Sequence, residues 1–155
     1  MLVDSHCHLD FPDLADGLGA VLGAMADRQV SSAVCIGVNL EDYPKVLALA
    51  EAQPHLYATV GVHPEYTDVE EPDVARLTSL AAHPKVIAIG ETGLDYYWHK
   101  DQPEWQRERF RTHIRAARQA GLPLVVHTRD SAVDTLRLLR EEGAAADEGV
   151  LMHGI

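Results

Sequence analysis

The stretch Val86-Ile87-Ala88-Ile89-Gly90 is a short apolar run that is followed directly by an acidic residue, Glu91. A run of this length, rich in Val and Ile, is typical of a strand that is buried on both faces of a parallel sheet. Similar runs lie at residues 1–3, 33–38, 57–62, 124–126 and 150–152. The sequence therefore predicts about six buried strands.

The segments between these runs are amphipathic and predict helices that pack on the sheet. The first has apolar residues at helical spacing, namely Leu14, Leu18, Val21, Leu22 and Met25. Further helices are predicted at 43–50, from Pro72, from Pro103 to Gly121, and from Asp130 or Ser131 to Gly143. Alternating strands and helices indicate a parallel sheet with right-handed crossovers, either doubly wound or a (β/α)₈ barrel. The first strand lacks the glycine-rich loop of dinucleotide-binding folds.

Length and composition favour one globular domain over residues 1–155. The chain is 46% hydrophobic and 24% charged, which is ordinary for a globular protein. Its apolar runs are shorter than the ~18 residues of a membrane span, and Asp4, His6 and Asp10 are unlike a signal peptide. Two cysteines suit a reducing compartment better than a disulfide scaffold. We therefore expect a soluble, cytoplasmic protein.

The net charge limits the ways in which the chain can bind a polyanion. There are 13 basic and 24 acidic residues, which gives a formal charge of −11. This balance argues against nucleic-acid binding through a broad basic surface. Metal ions held by histidines and carboxylates would make the local potential positive without adding basic residues.

Potential metal ligands follow almost every predicted strand. They are His6 and His8, His63, Glu91, His127 and His153. In a parallel barrel the carboxyl ends of all strands open on one rim, so residues that are distant in sequence converge on one cavity. The sequence therefore predicts a metal site built from several strand ends.

Two of these positions carry a local argument for metal binding. If the first strand continues to His6 and His8, its two-residue period places both imidazoles on one face and Cys7 on the other. Glu91 follows an apolar strand, and a lone buried carboxylate is costly, so it is expected to be protonated, to pair with a base or to bind a cation. With both oxygens used, Glu91 would bridge two metal ions.

Three other residues admit more than one interpretation. His63 precedes Pro64 and is a ligand, a substrate contact or part of a turn. Arg129 lies two residues beyond His127 and either grips a phosphate or forms an ordinary salt bridge. Asp95 either orients a ligand histidine or caps the following segment.

The remaining histidines and the two tryptophans carry no ligand pattern. His55, His83, His99 and His113 are predicted to be surface residues. Trp98 and Trp105 are expected to serve in packing or as a wall of the cleft.

Several motifs, in order along the chain, resemble the TatD family of metal-dependent deoxyribonucleases. They are Val3-Asp4-Ser5-His6-Cys7-His8-Leu9-Asp10, Gly61-Val62-His63-Pro64, Ile89-Gly90-Glu91-Thr92-Gly93-Leu94-Asp95-Tyr96-Tyr97, Gln106 to Phe110, and Leu122 to Asp130. The resemblance implies a TIM-barrel fold and hydrolysis of phosphodiester bonds in DNA by a two-metal mechanism.

The resemblance also implies a ligand set and a cofactor. His6, His8 and Glu91 would hold one divalent ion, and Glu91, His127 and His153 would hold the other. The ions would be Mg²⁺, Mn²⁺ or Zn²⁺, and Glu91 would be the catalytic residue. From their positions in the sequence, described above, His63 and Arg129 are the predicted substrate contacts.

Measured against the family pattern, the chain has about six of eight βα units. The family's late aspartate has no counterpart here, and Gly154 and Ile155 follow His153 in place of the usual Cys-Phe-Ser-Gly. We therefore expect an incomplete barrel with open edges that invite pairing with a second copy or a complementing chain. Two functional alternatives remain open: a catalytically incomplete metal-binding fragment that associates with another chain, and a two-metal hydrolase of esters or amides.

Overall fold

The computed structural model describes residues 1–101, 103–144 and 149–154, apart from the side chains of Pro103, His153 and Gly154. Within these residues the strands are β1 (Leu2–Cys7), β2 (Val30–Cys35), β3 (Leu56–Val60), β4 (Val86–Asp95), β5 (Leu124–Arg129) and β6 (Val150–Gly154). The helices are α1 (Pro12–Ala15), α2 (Leu18–Asp27), α3 (Tyr43–Ala52), α4 (Val74–Ala81), α5 (Pro103–Ala120) and α6 (Ala132–Glu141).

The strands form one parallel sheet in the order β1-β2-β3-β4-β5-β6. In a doubly wound sheet the strand order reverses at a switch point, whereas here each strand lies next to the preceding one. This is the winding of a (β/α) barrel. The prediction of an incomplete barrel with six of eight units is confirmed, and the doubly wound alternative is excluded.

The inner strands of the sheet bury side chains on both faces, as the apolar runs predict. Ala33 and Cys35 of β2 pack in the large core with Phe110 and Ile114 of α5. A second cluster consists of Val34 of β2, Ile36 just after that strand, Ala88 of β4 and Val125 of β5. Successive side chains of a strand point to opposite faces, so the two clusters lie on opposite sides of the sheet.

The two outer strands depart from the expectation of buried strands. β1 runs to Cys7, well beyond the predicted Val3, and Leu2 and Val3 are 60% and 63% exposed. Leu151 and Met152 of β6 are also exposed. Within the described residues β1 pairs with β2 and β6 with β5, so each outer strand has a neighbour on one side.

Two helix boundaries differ from those predicted. The segment around Leu14 to Met25 forms two helices rather than one, because the chain turns at Gly17, whose N–H donates to the carbonyl of Leu14. Glycine is a poor helix former, which favours a break there. α4 begins at Val74 instead of Pro72, with Asp73 as its N-cap; the Asp73 carboxylate accepts a hydrogen bond from the backbone N–H of Arg76.

None of the helices in the described part of the chain has the length and apolar content needed to cross a bilayer.

Candidate metal centre

The candidate ligands lie at the carboxyl edge of the sheet. His6 is in β1 and His8 follows that strand, His63 follows β3, Glu91 lies within β4, and His127 lies within β5. His6 reaches Glu91 although β2 and β3 lie between their strands, because the sheet curls as in a barrel and brings the carboxyl ends of its parallel strands together. The structure thus brings together five of the residues that were predicted to meet around metal ions.

The first cluster consists of His6, His8 and Glu91. One potential ligand atom of each lies within 4.8 Å of the others. The distance from His6 Nε2 to Glu91 Oε2 is 3.4 Å, and the rings of His6 and His8 are 5.2 Å apart. Cys7 packs against the helix-side core instead, which confirms the predicted division of this segment between two faces.

The second cluster consists of His63, Glu91 and His127, whose ligand atoms also lie within 4.8 Å of one another. Glu91 Oε1 is 3.8 Å from His63 Nε2 and 3.5 Å from His127 Nδ1. The rings of His63 and His127 are 4.4 Å apart. One oxygen of Glu91 therefore faces the first cluster and the other oxygen faces the second.

The protonation states at the centre suit metal binding. Burial opposes ionisation of Glu91, which is 2% exposed, but the neighbouring His127 and His6 outweigh it and hold the pKa of its carboxyl well below the usual range. Burial lowers the pKa of His63 to about 4. Burial and the nearby His6 also lower the pKa of His8. Ionised carboxylate and neutral imidazole are the metal-binding forms of these side chains.

The pKa of His127 is shifted in the opposite direction. Burial lowers it, but the carboxylates of Glu91 and Asp95 outweigh burial and raise it. His127 is thus drawn toward two carboxylates, one at each ring nitrogen.

Asp95 fulfils both of the roles between which the sequence could not decide. Its Oδ2 is 3.1 Å from His127 Nε2. Its Oδ1 accepts hydrogen bonds from the backbone N–H groups of Tyr97 and Trp98. A carboxylate on one ring nitrogen fixes the tautomer and orientation of a histidine that binds metal through the other nitrogen. Asp95 therefore directs Nδ1 of His127 toward Glu91.

Close approach of β4 and β5 depends on Gly93. This residue is paired with His127 in the register and has a φ of +134°, a conformation that side chains rarely adopt. A Cβ atom at this position would overlap the carbonyl oxygen of His127. Glycine at 93 thus allows the two strands that carry Glu91 and His127 to lie together.

Three buried polar residues of α5 support the centre and were missed as functional residues in the sequence. His113 is fully buried, so its predicted surface position is wrong. Its Nε2 accepts a hydrogen bond of 2.9 Å from the backbone N–H of Val62, next to His63. Arg109 donates to the carbonyl oxygens of His63 and Tyr66.

The third residue, Gln106, links two loops. Its amide oxygen accepts a hydrogen bond from the backbone N–H of Asp95, and its amide nitrogen donates to the carbonyl of Pro64. The helical spacing of apolar residues in this segment could have indicated that Gln106 and His113 are buried. Positions 106 and 113 lie at helical spacing from the core residues Phe110 and Ala117, so they share the buried face.

Arg129 and His153 are the two predicted site residues that neither described cluster includes. Arg129 stacks its guanidinium over the ring of Tyr97, with its central carbon 4.0 Å from the ring centroid. His153 is paired with His127 in the β5–β6 register. Its side chain is outside the described part of the structure, so its predicted ligand role stays a prediction.

The donor set fits divalent cations. A cleft of about 180 Å³ at the centre is lined by His8, His63, Glu65 and Glu91, among others. The buried Nδ1 of His8 has no hydrogen-bond partner among the described residues. Imidazole nitrogens and a carboxylate around such a cleft are ligands of Zn²⁺, Mn²⁺ and similar ions. The fold and the site together define a parallel (β/α) barrel protein with a candidate metal centre at the carboxyl ends of its strands.

A protein-family model described as "TatD related DNase" matches residues 3–155, and the chain belongs to this family. It is 40% identical over 154 residues to the uncharacterized metal-dependent hydrolase YcfH of Escherichia coli (strain K12), covering 97% of this chain and 57% of that protein. It is 36% identical over 152 residues to the uncharacterized metal-dependent hydrolase YabD of Bacillus subtilis (strain 168), covering 97% of this chain and 60% of that protein.

A solved structure shows the same fold. The crystal structure of the TatD homologue YjjV from Escherichia coli K12 superposes with a TM-score of 0.81 and 30% identity, covering 91% of this chain and 56% of that chain. The chain thus spans less than two thirds of the length of the relatives that it matches. The resemblance found in the sequence motifs is confirmed.

Proposed function

We propose that this chain forms the metal-binding part of a hydrolase that cleaves phosphodiester bonds in DNA with two divalent ions. The observation that carries the proposal is the position of Glu91, whose two oxygens face different histidine clusters. A carboxylate in this position is suited to bridging two ions. The family description, which names a DNase, supports DNA as the substrate.

In this proposal His6 and His8 would hold one ion, His127 and His153 would hold the other, and Glu91 would contribute to both. The ions, Mg²⁺, Mn²⁺ or Zn²⁺, would activate the attacking water and neutralise charge on the phosphate. Glu91 supplies the shared negative charge from a buried position.

His63 and Arg129 also have proposed roles at the centre. His63 lies 3.8 Å from Glu91 and its ring is 4.4 Å from that of His127, which favours a ligand role over the predicted substrate contact. Arg129 remains the proposed substrate contact, because it lies two residues beyond His127 at the same edge of the sheet.

The charge of the chain makes a metal requirement for DNA binding reasonable. A protein with a net charge of −11 repels a polyanion in general. Divalent ions at the cleft would make the local potential attractive. Removal of the ions is therefore expected to weaken DNA binding as well as to stop cleavage.

The proposal is tested by incubating the chain with single-stranded and duplex DNA, with Mn²⁺ or with a chelator. We expect the parent chain to cleave DNA only when Mn²⁺ is present, and we expect Glu91→Gln not to cleave it. A Tyr57→Phe variant, changed far from the centre on β3, serves as the matched control and should cleave normally. A folded, metal-loaded sample that cleaves neither DNA would refute nuclease activity for this chain. Cleavage of a carboxylic ester or amide under the same conditions would favour the acyl-hydrolase alternative.

The exposed outer strands favour a second candidate role, association with another chain. Leu2 and Val3 of β1 and Met152 of β6 present apolar side chains to solvent. An uncovered strand edge readily pairs with further β structure. We propose that these edges are covered by a second copy or by a complementing chain. A well-dispersed monomer by mass measurement in solution would contradict this role.

We also propose a cytoplasmic location. Cys7 and Cys35 are both free thiols, as is usual in a reducing compartment. Fractionation of the cells that produce the protein would test it.

A further inference from the structure

Two exposed aromatic side chains and an arginine form a surface beside the metal centre. Tyr97 and Trp98 are 45% and 61% exposed, and their rings meet edge to face at 4.7 Å. The guanidinium carbon of Arg129 lies 4.0 Å from the ring centroid of Tyr97 and 5.8 Å from that of Trp98. These three residues are called the aromatic platform below.

The aromatic platform is tied to the candidate metal ligands through Asp95. The backbone N–H groups of Tyr97 and Trp98 donate to one oxygen of Asp95 at 2.9 and 3.2 Å. The other oxygen of Asp95 lies 3.1 Å from the ring of His127. The N–H of Tyr96 also donates to the carbonyl of Arg129 at 3.0 Å. The platform therefore has a defined position relative to the centre.

The platform continues into a groove of aromatic and charged side chains. This groove has a volume of about 270 Å³ and is lined by Thr67, Trp98, His99, Lys100, Asp101 and Trp105. The ammonium group of Lys100 lies 5.9 Å from the ring centroid of Tyr97. The opposite charges of Lys100 and Asp101 leave the groove with little net charge, so it suits an uncharged planar group better than a chain of phosphates.

Nucleobases are planar, uncharged groups that stack on aromatic rings and on guanidinium planes. Inside a duplex both faces of a base are covered by the neighbouring base pairs, so a base is more available for such stacking in a single strand or at a frayed end. Large aromatic side chains are otherwise favoured in the core, so their exposure next to a candidate active site is consistent with a binding role.

We propose that the aromatic platform stacks an unpaired nucleobase of the substrate and so directs single strands or frayed ends to the metal centre. This inference rests on the proposed DNA hydrolysis and specifies the form of DNA that the site accepts. Tyr97 and Trp98 act in base binding, and Arg129 holds the ring of Tyr97 in place while offering a second stacking surface.

The binding experiment separates base stacking from the chemistry of the centre. The probe is an oligothymidylate with methylphosphonate linkages, whose uncharged backbone removes the need for metal ions and the effect of the acidic net charge. Trp98 and Trp105 are the two tryptophans of the chain. Trp105→Phe therefore leaves Trp98 as the fluorescent reporter, and saturable quenching of Trp98 by the probe is expected.

Ring deletion and ring retention provide matched variants. Because stacking contributes about 1–3 kcal/mol per base, Tyr97→Ala is expected to raise Kd about 5- to 150-fold in the Trp98-reporter background. Tyr97→Phe keeps the ring and should bind as tightly as the parent. Circular dichroism establishes that both variants are folded.

Absence of quenching up to the solubility limit of the probe would overturn the inference, as would equal affinity of Tyr97→Ala and Tyr97→Phe. Neither result depends on catalysis. Ring-dependent binding without metal-dependent cleavage would leave the aromatic platform supported and refute the nuclease proposal. Cleavage of natural DNA with the same KM in Tyr97→Ala and Tyr97→Phe would refute the platform alone.

Discussion

Replacement of His113 by leucine tests whether a buried, neutral histidine supports the loop that carries His63. His113 Nε2 accepts a hydrogen bond from the backbone N–H of Val62, and its Nδ1 is 2.8 Å from the carbonyl oxygen of Arg109. Leucine can form neither bond. Since a buried donor left unpaired costs about 1–3 kcal/mol, the variant is expected to be less stable by that amount at pH 7.5.

A sharper test is how the stability difference between the parent and His113→Leu changes with pH. Burial lowers the pKa of His113 to about 4, from 6.5 for an unperturbed histidine. Between these two values the unfolded chain binds a proton that the folded chain excludes, so stability falls as the pH decreases from about 6.5 to about 4. The shift corresponds to a total of about 3 kcal/mol, of which about 2 kcal/mol is lost by pH 5. His113→Leu has no imidazole at this position, so its stability does not fall for this reason as the pH decreases.

Urea denaturation followed by circular dichroism at pH 7.5 and pH 5, in the presence of a chelator, measures both stabilities. The gap between the parent and His113→Leu should shrink by about 2 kcal/mol at the lower pH, from about 1–3 kcal/mol to within about 1 kcal/mol of zero. His113→Gln is the matched control: it keeps a polar side chain that can hydrogen-bond but does not titrate, so its gap should shrink as well. A gap for His113→Leu that is unchanged between the two pH values would refute the assignment of a buried neutral imidazole.

Other substitutions test the centre itself. Glu91→Ala should remove both ions while His6→Ala should weaken mainly one, because Glu91 belongs to both clusters; metal content per folded chain reports this, and a full complement in Glu91→Ala would contradict the bridging role. Asp95→Asn should lower metal affinity about 10- to 100-fold, because the neutral amide holds the ring of His127 less firmly than the carboxylate does. Competition with a chromophoric chelator measures this affinity, and a value equal to that of the parent would contradict the role of Asp95. Gly93→Ala should destabilise the fold by at least about 1–3 kcal/mol, because of its positive φ and the overlap with the His127 carbonyl; an unchanged urea midpoint would exclude that strain.

Much of the fold could be read from the sequence because the relevant signals are local. Val- and Ile-rich runs that alternate with amphipathic segments are the direct consequence of a parallel sheet covered by helices. The position of Glu91 after such a run indicated a buried carboxylate, and the structure places it nearly inaccessible to solvent. The expectation that strand ends converge followed from the fold class alone.

Some predictions failed because they depend on contacts between distant segments. The outer strands are apolar like the inner ones, so the sequence could not show that Leu2 or Met152 is exposed. The residue type alone does not distinguish His113 from a histidine on the exposed face of a helix. Its burial depends on how α5 packs against the end of β3. The turn at Gly17 shortens a helix whose apolar spacing continues on both sides of it.

By itself, the sequence determined the kind of element at each position and the residue types available at the strand ends. The reason is that strands and helices differ in the spacing of their apolar side chains, and this spacing is visible in the sequence. Only the tertiary structure decided which atoms face one another. It assigned one oxygen of Glu91 to His6 and the other to His63 and His127, and it placed Asp95 behind His127. The reason is physical: distances of 3 to 4 Å between residues many positions apart are determined by strand register and packing, which no local pattern encodes.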